Sequence, residues 1–108
     1  MSNDEHLIVG VGRIVLAIHG IDSLKGKRGI LNRIKARVQN RFNVSISEVG
    51  YQDLHSRAVL GVAVVSSDLG YVQRLLEKIV RFVENLGEAE VLLDEVDIVN
   101  YGGGFSIG

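Results

Sequence analysis

Leu7 to Ile18 reads LIVGVGRIVLAI and Arg57 to Ser66 reads RAVLGVAVVS. Both runs are rich in β-branched residues and stay apolar through consecutive positions. Side chains of a strand alternate between the two sides of a sheet, so each run predicts a strand buried on much of both faces. The segments between and around them complete the pattern. After the first run, Asp22 or Ser23 is a candidate N-cap. Leu24, Leu31, Ile34, Val38 and Phe42 then follow at spacings of seven, three, four and four, the apolar stripe of an amphipathic helix over residues 23–42. Asn43 to Gln52 (NVSISEVGYQ) alternates, with Val44 and Ile46 on one side and Ser45 and Ser47 on the other, as a half-exposed strand does. Asp53 to Ser56 reads as a turn with Asp53 as its capping residue, which makes this strand and the second apolar run a hairpin.

Ser67 is placed to cap a second helix with Asp68 in its first turn, and Leu69, Val72, Leu76, Ile79, Val83 and Leu86 recur at threes and fours before Gly87 closes it. Glu90 to Asn100 (EVLLDEVDIVN) supplies a last strand. Its internal Asp94, Glu95 and Asp97 suit a sheet edge, where charge discourages further pairing. The order β-α-β-β-α-β predicts an α+β, ferredoxin-like sandwich: two helices on one face of a four-stranded antiparallel sheet, with the two doubly apolar strands in its centre. At 108 residues the chain has room for one core. Residues 1–101 read as that domain and residues 102–108, which begin with three consecutive glycines, as a flexible tail.

Two helices cover only one face of a sheet. The other face is left with Val9, Val11, Val15 and Ala17 beside Val59, Ala63 and Val65, or with the opposite set. An apolar patch of this kind exceeds what a monomer usually leaves bare. The expected cover is a second copy in a symmetric homodimer; shielding by long side chains and the C-terminal tail is the alternative.

Charge is distributed unevenly. The net formal charge of −1 excludes a uniformly basic nucleic-acid sleeve and an acidic tail, yet Lys25, Lys27, Arg28, Arg33, Lys35, Arg37 and Arg41 all lie between Ser23 and Ser47 with no acid among them. The remaining five basic residues share the chain with all thirteen acids. At 100° per residue Arg33, Arg37 and Arg41 share one flank of the first helix, and Lys25, Arg28 and Lys35 the other. Such a helix suits phosphate contacts that release counterions. It equally suits a solvated face whose cations reach over the core to acids elsewhere. Residues 23–29 add cations to a helix N-terminus, where an anion is favoured.

Other motifs fail. Gly10-Val11-Gly12 has Val15 where a dinucleotide fingerprint needs its third glycine, and both glycines lie inside a strand. His6, His19 and His55 lack ligand spacing, and Asp94, Glu95 and Asp97 alternate between faces, so no metal site is expected. With no cysteine, thiolate chemistry and disulfides are excluded. No serine sits in a nucleophile elbow, so no catalytic residues and no cofactor are assigned. The second apolar strand lacks the aromatic RNA-recognition signature, which leaves phosphate contacts and weak sequence specificity as the mode of any nucleic-acid binding. The acidic opening Met1 to His6 is no signal peptide, and no apolar stretch is long enough for a membrane span; a soluble cytoplasmic protein is expected.

Three stretches are specific: Ser23-Leu24-Lys25-Gly26-Lys27-Arg28, Arg41-Phe42-Asn43-Val44-Ser45-Ile46-Ser47-Glu48-Val49, and Gln52-Asp53-Leu54. Together they resemble the bacterial YlxP-like family, the domain of unknown function 503, over roughly residues 7–100. The resemblance implies a small ferredoxin-like protein. The placing of the family's genes near translation and ribosome-maturation genes implies, by association, a role with RNA or the ribosome. The motif positions carried over are Ser23, Leu24, Lys25, Lys27, Arg28, Arg41, Phe42, Asn43, Glu48, Gln52 and Asp53. The function expected is therefore non-enzymatic binding of RNA or a ribosomal subunit through the first helix. A dimeric effector domain holding a small molecule or anion near Lys25 to Arg28 is the alternative.

Overall fold

The computed structural model describes residues 5–102. Its elements run β1 (Ile8–Ala17), α1 (Leu24–Arg41), β2 (Ser45–Gly50), β3 (Arg57–Ser66), α2 (Leu69–Leu86) and β4 (Glu90–Asn100). The sheet order is β2-β3-β1-β4 with every neighbouring pair antiparallel, so the two doubly apolar strands are central and the acid-bearing β4 is an edge. This is the ferredoxin-like α+β sandwich. Of the glycine-rich tail only Gly102 is described, and its carbonyl accepts from Leu7 N at 3.1 Å; residues 103–108 lie outside the described part.

The core fills the space between the helices and one face of the sheet. Ile8, Ile14 and Leu16 of β1 and Ala58, Leu60, Val62 and Val64 of β3 meet Ile30, Leu31, Ile34 and Val38 of α1 and Val72, Leu75, Leu76, Ile79 and Val83 of α2. Period-2 strands and period-3.6 helices place these sets on facing surfaces. Gly10 sits at the tightest point, because a Cβ there would lie 2.4 Å from Val72 Cγ1 and 2.9 Å from Leu76 Cδ1. The missing side chain lets α2 press onto β1.

Three local readings need correction. Asp68, not Ser67, caps α2: its Oδ1 accepts from Tyr71 N at 3.0 Å, while Asp68 N donates to Ser66 Oγ. A carboxylate in this place also meets the positive end of the helix dipole. β2 stops at Gly50, after an irregularity between Glu48 and Gly50, and the turn begins at Tyr51, whose φ is +55°. The turn closes through Leu54 N donating to Tyr51 O, and the side chain that braces it is Gln52, donating to Glu48 O at 3.3 Å, rather than Asp53. Leu24, assigned above to the apolar stripe of α1, is 41% exposed, and Lys27 stands in that stripe at 2%.

The face turned away from the helices carries Val9, Val11, Arg13, Val15 and Ala17 of β1 and Val59, Gly61, Ala63 and Val65 of β3, the first of the two sets anticipated. Among the described residues no helix is long and apolar enough to cross a membrane.

Candidate functional site

The seven cations of the basic segment do not form one surface. Lys25 and Arg41 are sixteen positions apart on α1, about 24 Å along a helix. What each does depends on its neighbours.

Lys27 is not a surface contact, which corrects its place among the candidate phosphate-binding residues. Its Nζ donates to Tyr51 O at 2.8 Å, Leu54 O at 2.6 Å and Arg57 O at 2.9 Å, and stands 2.8 Å from Glu48 Oε2. An ammonium has three protons, and the three carbonyls take them all. Glu48 supplies the counter-charge without needing a proton of its own. A buried cation is tolerated only with such partners. The sequence carried the signal: Lys27 lies four, seven and eleven positions before Leu31, Ile34 and Val38, on the axis of the apolar stripe. This contact joins all three specific motifs: Lys27 of Ser23–Arg28, Glu48 of Arg41–Val49 and Leu54 of Gln52–Leu54.

The N-terminus of α1 is closed in a related way. Ser23 Oγ accepts from Gly26 N at 3.0 Å and Ser23 O accepts from Lys27 N at 3.1 Å, so the backbone groups expected to hold an anion are partly engaged already. Lys25 and Arg28 remain exposed there, and Lys35 is half-buried farther along.

On the other flank, Arg33 is exposed but engaged. Its Nε and Nη2 donate to the two carboxylate oxygens of Glu88 at 2.8 and 3.1 Å, a bidentate pair. The hydrogen bond from Arg33 holds the Glu88 carboxyl below its ordinary value, aided by the charges of Arg33 and Arg37 against desolvation. The same bond raises the Arg33 guanidinium. A carboxyl whose pKa is lower folded than unfolded contributes stability above its ordinary range and loses it as pH falls through the folded value. The stability difference between the wild type and E88Q, measured by urea melts, is therefore expected to be present at neutral pH and to close in acid. A difference independent of pH contradicts the pairing.

Arg37 and Arg41 complete this flank. Arg41 lies over two rings, 5.9 Å from the Phe42 centroid and 5.5 Å from the Phe82 centroid, and the rings meet edge to face at 5.4 Å. The shallow depression around them is lined by Arg41, Phe42, Lys78, Arg81, Phe82 and Asn85. Three cations and two aromatic rings meet here without an acid in the lining. Lys78 and Arg81 come from α2, and sequence reading missed them because Glu77 and Glu84 stand among its three basic residues, so no run of one sign shows along the chain. Only the antiparallel docking of α2 on α1 sets these two beside Arg41.

No group of three or more His, Asp or Glu residues is assembled that could hold a metal ion among the described residues. Asp53 and His55 are exposed on the turn after β2.

A family model described as "Protein of unknown function (DUF503)" matches residues 9–96. "Uncharacterized protein YlxP" of Bacillus subtilis (strain 168) is 42% identical over 83 residues, which span 77% of this chain and 90% of that protein. Among solved structures, the de novo designed protein Foldit4 is similar over 89% of this chain and 96% of its own at 20% identity, with a TM-score of 0.47. SnoaB, a cofactor-independent oxygenase from Streptomyces nogalater, is similar over 86% of this chain and 90% of its own at 12% identity, with a TM-score of 0.45. The extent of the family match and the identity to YlxP lead to one conclusion: this chain belongs to the DUF503 family.

Proposed function

We propose that the protein is a non-enzymatic RNA-binding protein that grips the phosphate backbone with its helical layer, at the end where α1 finishes beside α2. The observation that carries this reading is the depression of Arg41, Lys78 and Arg81 around the Phe42–Phe82 pair, cationic and free of acids in a chain whose net charge is negative. Three cations from two helices line one depression, each able to meet a phosphate, and Arg37 extends the row along α1. The exposed Arg41 guanidinium already lies beside two aromatic rings, a setting that suits stacking with an unpaired base. Recognition of this kind reads charge and shape rather than sequence.

The reading moves the centre of the basic segment from its beginning to its end. Lys27 is occupied, Arg33 is neutralised by Glu88, and the Ser23 side chain already takes one of the backbone N–H groups at the start of α1. Fluorescence anisotropy with labelled single-stranded and ribosomal RNA fragments tests it. Binding by the wild type, lost in the triple variant R41A/K78A/R81A and kept in K25A/R28A, is expected. Equal binding by wild type and triple variant overturns the site, and no binding to any RNA overturns the function.

A further inference from the structure

Among the described residues, the face of the sheet turned away from the helices is laid out so that it complements itself. The strand registers arrange it in rows that cross all four strands. One row reads Ser47, Gly61, Arg13, Glu95 from β2 to β4, and the next reads Ser45, Ala63, Val11, Asp97. In both, the half on β1 and β4 carries the larger side chains and every charge, and the half on β2 and β3 carries glycine, alanine and serine. Arg13 pairs with Glu95 across the strands, while Asp97 Oδ1 accepts, among the described residues, from the neighbouring backbone N–H of Ile98. The small residues of the other half leave a shallow trough between Val11 and Val49.

We infer that this face binds a second copy of the chain, sheet to sheet, about a twofold axis lying between the sheets and running along the strands midway between β1 and β3. That axis exchanges the two halves. Each β1–β4 ridge then lies over the partner's β3–β2 trough, twice by symmetry. Within the first row, Arg13 faces the partner's Gly61, over which the partner's Val49 leans and offers an apolar surface to the arginine stem, and Glu95 faces the partner's Ser47, whose hydroxyl donates to a carboxylate. Within the second, Val11 faces the partner's Ala63 and Asp97 faces the partner's Ser45, again an acid opposite a donor. A twofold axis running across the strands sets ridge on ridge and acid beside acid, so shape and charge select the same axis. The aligned packing of two sheets turns the strands by about 30° relative to one another, and the match is closest near the axis.

The area is adequate. β1 and β3 of 10 residues, β4 of 11 and β2 of 6, about 4.8 Å apart and at about 3.3 Å per residue, give a footprint of about 600 Å² per partner before side-chain relief. Stable interfaces start at about 1,200 Å² in total, or about 600 Å² per partner, so this face meets the low end of the range. Val11, Val65, Leu93 and Val99, between 43% and 64% exposed, lie on this face and supply its apolar area. The helices face outward in such a dimer, so it presents two basic depressions on opposite sides and leaves both open to RNA.

Sedimentation equilibrium at micromolar concentration is expected to give about twice the 11.8 kDa chain mass. V11E, a change at an exposed position, is expected to return it to one chain with its circular dichroism unchanged. The axis has its own test, because the chain contains no cysteine. Stacked sheets lie about 10 Å apart, too far for a disulfide but within reach of a short bismaleimide. A mixture of S47C and E95C proteins is expected to yield covalent dimers, and each protein alone to yield none. A monomer at micromolar concentration overturns the dimer. Cross-linking of S47C to itself overturns this axis.

Discussion

Replacing Lys27 with methionine is expected to lower folding stability by about 3 kcal/mol, near the lower end of what removing one partner of a buried ion pair costs. For a domain of this size that corresponds to a fall in Tm of about 10–25 °C. Methionine fills nearly the same volume, so the loss does not come from a cavity. It comes from three carbonyls, of Tyr51, Leu54 and Arg57, left without their donor, and from Glu48 left without its counter-charge. Glu48 retains some solvent contact, its side chain being 23% exposed, which holds the figure at the low end. The damage is expected to be local as well: amide exchange in residues 51–57 should rise well above that of the core strands, since Lys27 pins a turn that includes a positive-φ tyrosine. E48Q is expected to cost less than K27M, and the double variant less than the sum of the two, because the residues share one network. K25M, at an exposed position on the same helix, should change stability by no more than about 0.5 kcal/mol. A K27M protein as stable as the wild type contradicts the role assigned to this lysine.

Gly10→Val is expected to cost about 3 kcal/mol or more, at the upper end of core overpacking. The first added carbon already falls 2.4 Å from Val72 Cγ1, with Leu76 Cδ1 at 2.9 Å and Val64 Cγ1 at 3.2 Å. Val72 is β-branched on a helix and has one strongly preferred rotamer, so it does not swing aside. The helix must move instead. Gly10→Ala should cost about 1–2 kcal/mol, since the strain is partly offset by the lower entropy of an alanine-containing unfolded chain. Shortening the opposing side chain tests the cause. V72A destabilises the wild type by opening a cavity, but in the G10A background it is expected to destabilise much less, because the alanine methyl occupies part of the space released. Additive effects of G10A and V72A in denaturant melts contradict the contact.

The architecture was legible because hydrophobic periodicity reports directly on how many faces a segment buries. β3 and β4 run over the residues their patterns predicted, and the centre and edge strands follow from apolar residues on both faces or on one. The misread positions are those where a tertiary partner decides. Leu24 continues the helical period yet lies on the exposed first turn, and Lys27 interrupts the period yet is buried, because four oxygen atoms on β2, β3 and their turn wait for it. No local rule weighs carbonyls that lie 24 to 30 residues away. Ser67 and Asp68 are both good caps, and the choice fell to Ser66, whose hydroxyl takes the Asp68 N–H. The basic segment was visible as composition, but its division was not. Arg33 meets Glu88 and Arg41 meets Phe82 only after α2 folds back along α1. Lys78 and Arg81 enter the candidate site by the same route.

RNA binding at the end of α1 is the central claim, and the salt dependence of affinity tests it most directly. Each phosphate contact to a single strand contributes about −0.7 to the slope of log K against log salt concentration, so three contacts give a slope of about −2. The wild type is predicted to show that slope, R41Q to make it shallower by about one contact, and K25Q/R28Q to leave it unchanged. A slope that R41Q leaves intact while K25Q/R28Q abolishes it, or an affinity with no salt dependence, contradicts the account.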